Sequence, residues 1–399
     1  MKYLFALGNN PALSLAELSA VFGGEKITLI NNDLALLDME KIDPGKTIKN
    51  LGGTIKIASL EKKLSDHSQI KTEALKLIKQ KASAREGKIK YGLSPYGKGF
   101  KNINKLGLEI KKDLKRENIN SRLVTSKEKN LSSVVVETNK LAGSGIEIIL
   151  SKHQNKILLG KTLAVQPFKE LSFRDYGRPA RDSRSGMLPP KLAQILINLA
   201  GLRDKKNSML LDPFCGSGTI LTEAALTGYK NLIGSDSSTK AIRDTEENLN
   251  WTEKKFNLSK VNFQLFPVRA EEIAGKLKNA SVDSIVTEPY LGPQRGKIDF
   301  PETVLELEKL YSQSLNELGK ILKPGGKIVM VWPIFQKGGL TLRPELKNFK
   351  IKSALPENLK KNPSLNLTQR NTIIYKRPDQ KVWREIVILQ KGGENAKKE

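Results

Sequence analysis

The stretch Leu210-Leu211-Asp212-Pro213-Phe214-Cys215-Gly216-Ser217-Gly218-Thr219 decides the fold of the second half of the chain. A short apolar run ends at Asp212, a turn with two glycines follows, and Thr219 begins an amphipathic stretch. This order predicts a strand, a glycine loop and a helix, in which the backbone can approach a ligand closely. Asp236 follows Gly218 by 18 residues, after a second apolar run, and a carboxylate there can accept both hydroxyls of a ribose. The sequence therefore predicts a nucleotide-type cofactor site in an α/β sheet.

Two common nucleotide motifs fit this stretch poorly. A dinucleotide fingerprint needs a third glycine where Leu221 stands, and a P-loop needs a Lys directly after its last glycine. The stretch closely resembles class I S-adenosylmethionine-dependent methyltransferases. That resemblance implies a Rossmann-like, seven-stranded sheet and S-adenosylmethionine as cofactor, with the glycines admitting its methionine part and Asp236 holding its ribose.

A second motif, Thr287-Glu288-Pro289-Tyr290, follows the buried-strand pattern Val282–Val286. Methyltransferases that act on exocyclic base amines carry Asp/Asn-Pro-Pro-Tyr/Phe here, because acceptors must hold the N–H bonds while an aromatic face supports the base. We predict that Glu288 and the Pro289 carbonyl accept the amine hydrogens and that Tyr290 stacks. Glu288 is one methylene longer than Asp, Tyr290 stands one place early, and Leu291 fills the aromatic position. The alternative is an ordinary strand-ending turn with a solvated Glu288.

The cysteine and histidine content excludes several chemistries. Pyrimidine C5-methyltransferases need a thiolate, and the single cysteine, Cys215, stands inside the cofactor loop. We interpret Cys215 as a small packing residue, and the absence of a second cysteine fits a reducing compartment. The two isolated histidines, His67 and His153, offer no zinc cluster, so we predict no metal site.

Composition indicates a polyanionic partner. The 399 residues carry a net charge of +26, which is typical of nucleic-acid binding, although a lysine-rich proteome would raise the charge without a partner. No apolar run approaches about 18 residues, so we expect no membrane span. We expect a cytoplasmic monomer.

The first 163 residues predict two small α+β domains, over 1–62 and 63–163. A basic glycine-rich loop around Lys98 precedes an amphipathic helix over Ile103–Glu117, and four strands follow, one of them over Ser133–Thr138. This succession is similar to a THUMP domain preceded by a ferredoxin-like subdomain, as found in tRNA-modifying enzymes. We predict RNA contacts from Lys98, Lys101, Lys105 and Arg122, whereas a lysine stripe taken alone is more often a solvated face.

A linker over 164–186 concentrates arginines. Arg174, Arg178, Arg181 and Arg184 can make bidentate phosphate contacts, which predicts RNA binding. Alternatively, these arginines pair with Asp175 and Asp182 and make the linker rigid. A helix predicted from Pro190 opens the catalytic domain, 187–391, and a charged tail, 392–399, is predicted to be disordered.

Taken together, these features resemble the archaeal tRNA guanosine-10 N2-methyltransferase family over nearly the whole chain. The resemblance implies tRNA as substrate and a cofactor site built from Asp212, Phe214, Gly216, Gly218, Thr219, Asp236 and Ala270. Arg269 stands where the family often has an acid, so only a backbone contact from Ala270 is carried over. Two alternatives stay open: a DNA amino-methyltransferase, and a non-catalytic RNA-binding protein that kept the fold.

Overall fold

The computed structural model describes residues 1–84, 86–181, 187–293, 299–335, 340–376 and 382–392. The chain divides into two compact units, one of Met1–Leu15 and Gly23–Glu170 and one of Ala16–Phe22 and Leu171–Glu399. The predicted boundaries at residues 62, 163 and 186 are finer than this division and stay predictions. Arg184 and the predicted tail beyond residue 392 lie outside the described residues.

The first unit is an α+β structure built on one continuous sheet. Its eight strands lie in the order β2-β3-β1-β4-β8-β7-β5-β6, and most neighbours are antiparallel, whereas β5 pairs in parallel with β6 and β7. In chain order the elements of this part are β1 (Lys2–Leu7), α1 (Pro11–Phe22), β2 (Ile27–Asn31), β3 (Leu34–Asp38), α2 (Pro44–Lys49), β4 (Thr54–Leu64), α3 (Ser68–Ser83), β5 (Ile89–Tyr96), α4 (Ile103–Arg116), β6 (Ser121–Val124), α5 (Ser133–Thr138), β7 (Ile146–His153), β8 (Lys156–Val165) and α6 (Phe168–Tyr176).

An apolar core and a buried ion pair hold this sheet. Apolar residues of α3 and α4 pack with those of β5, β7 and β8, and nearly all of them are fully buried. The Lys56 ammonium of β4 lies 2.5 Å from the Glu147 carboxylate of β7, and both side chains are almost inaccessible to solvent. Ser94 and Thr162 also donate to Glu147, so this buried charge is fully partnered.

The predicted strand over Ser133–Thr138 is wrong, because these residues form helix α5. The Ser132 hydroxyl accepts a hydrogen bond from the Val135 N–H and caps the first turn. The run of three valines suggested a strand, but the cap and the burial of Val136 outweigh that β propensity.

The second unit carries the predicted α/β sheet. Seven strands form the path β11-β10-β9-β12-β13-β17-β15, and two short strands, β14 and β16, pair with β13 and β17. In chain order its elements are α7 (Pro190–Leu199), β9 (Met209–Asp212), α8 (Thr219–Leu226), β10 (Asn231–Ser235), α9 (Thr239–Lys255), β11 (Asn262–Phe266), β12 (Val282–Thr287), α10 (Phe300–Ile321), β13 (Leu322–Phe335), β14 (Leu340–Thr341), β15 (Phe349–Lys352), α11 (Glu357–Lys360), β16 (Ile373–Tyr375) and β17 (Val382–Lys391).

This sheet confirms the predicted seven-stranded α/β fold. Strands β9 to β13 pair in parallel, and β17 runs antiparallel to β13. Parallel strands separated by helices place all their carboxyl ends at one edge of the sheet, where ligands bind in open α/β folds. Throughout the described ranges, no helix is both long and apolar enough to cross a membrane.

Candidate active site

A cavity of about 1030 Å³ lies at this edge of the second unit. It is bordered by the ends of β9, β10 and β12, by the glycine loop before α8, and by the start of β17. Among its described lining residues, five carboxylates face three cationic side chains: Asp212, Asp236, Asp244, Glu271 and Glu288 against Lys240, Arg269 and Arg384. The excess of negative charge suits a ligand that carries positive charge.

The glycine loop is shaped by two left-handed residues. Gly216 has a φ of 54° and Gly218 a φ of 79°, which side chains other than glycine rarely adopt. A Cβ on Gly218 would lie 3.2 Å from the Thr245 Cα, whereas a Cβ on Gly216 would meet open space. Gly218 is therefore needed for packing against α9, and Gly216 leaves open space beside its Cα that a ligand can occupy.

Asp212 is a buried carboxylate at the end of β9. Its Oδ1 accepts hydrogen bonds from the Thr287 hydroxyl at 2.7 Å and from the Phe214 N–H at 3.2 Å. Burial raises the pKa of Asp212 to about 7, and the nearby carboxylates of Asp236 and Glu288 add to that rise. Because both hydrogen bonds fall on Oδ1, Oδ2 is available to a cationic group of a ligand.

Asp236 ties the second strand end to the glycine loop. Its Oδ2 accepts from the Gly216 N–H at 3.0 Å and its Oδ1 from the Ser238 N–H at 2.9 Å. These bonds hold the carboxylate at the cavity wall and leave further lone pairs on both oxygens for hydroxyl donors. Ala270 also lines the cavity, and Arg269 beside it pairs with Glu271 at 2.8 Å. Glu271, the residue after Ala270, also lines the cavity, and the sequence analysis did not assign this acid to the site.

Glu288, Pro289 and Tyr290 come together at the end of β12, in the same cavity. Pro289 is buried, whereas Tyr290 is 58% exposed and its carbonyl accepts from the Tyr311 hydroxyl at 2.8 Å. An exposed ring on a fixed backbone can support a flat ligand. Glu288 is not a solvated turn residue, because its side chain is only 11% exposed.

Sequence reasoning did not predict the partner of Glu288, which is Arg384 of β17. The Arg384 Nε lies 2.7 Å from Glu288 Oε1 and 3.2 Å from Oε2, and its Nη2 lies 3.1 Å from Oε2. Both side chains are largely buried, so this is a two-pronged ion pair inside the cavity wall. The available sign in the sequence was the charged pair Arg384-Glu385 near the start of β17, between apolar residues.

The linker arginines do not behave as one group. Arg174 is 6% exposed and pairs with the equally buried Glu223, and Arg178 is 5% exposed and donates to the Thr219 hydroxyl at 2.6 Å. The RNA contacts predicted for Arg174 and Arg178 are not compatible with this burial, because neither guanidinium can reach a phosphate. Their partners lie on α8, so these two arginines support the cofactor loop.

Arg181 differs from its two buried neighbours. It is exposed, and its guanidinium lies 5.1 Å from the centre of the Tyr176 ring. Among the described linker arginines, Arg181 is therefore the one with an exposed side chain.

In the first unit, the four basic residues predicted to contact RNA are all exposed: Lys98, Lys101, Lys105 and Arg122. Lys105 lines a second cavity, of about 520 Å³, together with Lys127 and Lys129. This cavity lies beside the start of α4 and the end of β6, and its charged lining residues are these three lysines and Glu128.

Comparison with known proteins identifies methyltransferase relatives of this chain. Residues 178–337 match the family described as RMKL-like, methyltransferase domain. A probable tRNA (guanine(10)-N2)-dimethyltransferase of Methanothermococcus thermolithotrophicus is 36% identical over 145 residues, which are 35% of this chain and 77% of that protein. The chain belongs to the same methyltransferase family as this relative.

Two further relatives define how far the similarity reaches. The tRNA (guanine(10)-N2)-dimethyltransferase of Methanothermobacter thermautotrophicus is 33% identical over 148 residues, 37% of this chain and 39% of that protein, so the match spans less than half of that relative. The crystal structure of TrmN from Thermus thermophilus shares 19% identity and a TM-score of 0.53 over 98% of this chain and all of that one. The similarity to TrmN supports the fold described above.

Proposed function

We propose that this protein transfers a methyl group from S-adenosylmethionine to the exocyclic N2 amine of a guanosine in tRNA. The observation that carries the proposal is the meeting of two groups of residues in one cavity. The glycine loop with Asp212 and Asp236 suits a nucleotide-type cofactor, and Glu288-Pro289-Tyr290 stands beside it at the end of β12. The relatives named for this reaction on guanine N2 support it.

The residues that would hold the cofactor fit its chemistry. Asp212 and the open space beside the Gly216 Cα would receive the methionine part, and Asp236 would accept hydrogen bonds from the ribose hydroxyls. The remaining cofactor contacts are assigned to Phe214, Gly218, Thr219 and Ala270. When bound, S-adenosylmethionine supplies a methyl group activated by a sulfonium.

The residues of the acceptor side would grip a guanine turned out of its stack. The Glu288 carboxylate and the Pro289 carbonyl accept the amine hydrogens, and the exposed Tyr290 ring supports the base. Correct orientation of the amine is the main contribution we assign to these residues. No covalent intermediate is needed, and Cys215 is buried with a pKa raised well above its usual range by burial.

We infer that tRNA is held by basic surface outside the cavity. The exposed Lys98, Lys101, Lys105 and Arg122 of the first unit and Arg181 of the linker support this assignment. Such contacts follow phosphates without reading bases, and they weaken steeply with salt. We further propose that the protein acts as a monomer in the cytoplasm.

The test is transfer of labelled methyl from S-adenosylmethionine to unmodified tRNA, followed by nucleoside analysis. Glu288→Ala is measured in parallel, with Glu357→Ala as control, because the Glu357 side chain is 75% exposed and lies outside the cavity. We expect label in N2-methylguanosine, lost in Glu288→Ala and kept in the control. Label in another nucleoside, label in DNA in preference to tRNA, or tRNA binding without label would each refute the proposal.

A further inference from the structure

Strand β17 carries two arginine–carboxylate pairs on adjacent residues. Arg384 pairs with Glu288, and Glu385 pairs with Arg370, whose Nη2 lies 2.8 Å from Oε2 and whose Nε lies 2.9 Å from Oε1. Successive residues of a strand point to opposite faces of the sheet. Of the two pairs, only that of Arg384 and Glu288 lines the cavity described above.

The length of Glu288 explains why an anchor is needed. A glutamate has one more rotatable bond than an aspartate, so its carboxylate is less well fixed by the strand end. The Arg384 fork contacts both carboxylate oxygens and fixes the plane of the group. Oε2 accepts two of these hydrogen bonds and Oε1 accepts one, so Oε1 keeps a lone pair for an amine hydrogen.

The charge of Arg384 matters as well as its shape. The charged and titratable groups around Glu288 are Asp212 from β9, with Asp236 beyond it, Tyr311 from α10, and Arg384. The carboxylates Asp212 and Asp236 would disfavour a further negative charge. Among the described residues in hydrogen-bond contact with Glu288, Arg384 is the one cation.

We propose that Arg384 is a positioning residue for the acceptor amine, acting through Glu288. It holds the Glu288 carboxylate in one orientation, so that Glu288 Oε1 accepts an amine hydrogen at a fixed position. The proposal rests on the proposed function and adds to it that Glu288 and Arg384 work as a unit.

The experiment compares the whole protein with Arg384→Gln, Arg384→Lys, Glu288→Gln and the Glu288→Gln/Arg384→Gln double variant. Methyl transfer to tRNA gives kcat and KM, calorimetry gives S-adenosylmethionine affinity, and chemical denaturation gives stability. Arg370→Gln is the matched control, because it breaks the equivalent pair on the opposite face of β17. Carbon NMR of labelled glutamate reports the carboxyl signal of Glu288, with Glu288→Gln assigning that signal.

We expect Arg384→Gln to lower kcat by about tenfold or more, as a misplaced acceptor does, with cofactor affinity within about twofold of wild type. Arg384→Lys keeps the charge and loses the fork, so its kcat falls between those of wild type and Arg384→Gln. The double variant loses no more kcat than Glu288→Gln alone. Loss of the fork lets the Glu288 carboxylate adopt several orientations, so its NMR signal broadens or splits.

Two results would overturn the proposal. One is an Arg384→Gln protein with the kcat of wild type, and the other is a loss of kcat no greater than in Arg370→Gln at equal loss of stability. Failure of the proposed function is distinct, because wild type itself then transfers no methyl to tRNA. In that case the NMR spectrum decides: a Glu288 carboxyl signal as sharp in Arg384→Gln as in wild type removes the inference, and a broadened or split signal supports it.

Discussion

Replacing Asp212 by Asn should stabilise the protein without ligand and weaken cofactor binding. The carboxyl of Asp212 has a pKa raised to about 7 by burial, against about 4 in an unfolded chain. Between these values the unfolded state releases its proton and the folded state keeps it, so the free energy of unfolding falls as pH rises from about 4 to about 7. At about 1.4 kcal/mol per pH unit, the loss reaches about 4 kcal/mol above pH 7.

Asn at position 212 has no proton to release and keeps both accepted hydrogen bonds, those from Thr287 and Phe214, on its carbonyl oxygen. We therefore expect Asp212→Asn to exceed wild type by up to about 4 kcal/mol in urea denaturation at pH 8, and by about 1 kcal/mol at pH 5. The exposed Asp38 provides the control, since its side chain is 64% exposed and Asp38→Asn should change little at either pH.

The same substitution should lower cofactor affinity at least tenfold at pH 8, because a neutral amide replaces the charge that faces a cationic ligand. In wild type, affinity should rise with pH as Asp212 ionises near pH 7, and this dependence should vanish in Asp212→Asn. Calorimetric titration with S-adenosylmethionine between pH 6 and 8 measures both effects. The reasoning is refuted if Asp212→Asn is less stable than wild type at pH 8, or if the stability difference does not change with pH.

Four further substitutions test other parts of the structure. Glu147→Ala should lower the free energy of unfolding by about 3–5 kcal/mol in urea, because it leaves the Lys56 ammonium buried and unpaired; a change below about 1 kcal/mol would contradict the buried pair. Gly218→Ala should destabilise the protein by more than about 1–2 kcal/mol because of its positive φ and the contact with Thr245. Gly216→Ala carries the strain of its positive φ without such a contact, so it should destabilise less and should weaken cofactor binding; calorimetry and denaturation separate the two. Cys215→Ala should retain methyl transfer, and thiol labelling of the folded wild type should be slow, since the thiol is buried and its pKa raised; inactivity with intact cofactor binding would indicate a chemical role.

The sequence was sufficient to predict the α/β sheet because the residues that mark the ends of its strands directly follow those strands in the sequence. Two glycines with positive φ stand directly after a strand, and the acid Asp236 stands at the end of the next strand. Parallel pairing then brings these residues to one edge without any knowledge of distant contacts. The same reasoning placed Glu288 in the cavity, since it ends the strand beside β9.

Local patterns failed where a competing local interaction or a distant partner decides the structure. In α5, the Ser132 cap outweighed three consecutive β-branched residues, and a six-residue window cannot weigh those two effects reliably. In the linker, the concentration of arginine suggested phosphate contacts, but Arg174 finds its carboxylate on α8, at Glu223. Nothing within the linker itself indicates that partner.

Charged residues inside apolar elements nevertheless indicate, from the sequence alone, that buried partners exist. Glu223 stands among the apolar residues of α8, Lys56 among those of β4, and Arg384 in the apolar β17. A charge buried there needs a partner of opposite sign, so the sequence predicts that a partner exists without naming it. Two of the three resulting pairs support structure, and the third places a cation on the one carboxylate that the acceptor amine would meet. The proposed positioning of the acceptor amine therefore depends on a pairing between residues 96 positions apart, which only the fold brings together.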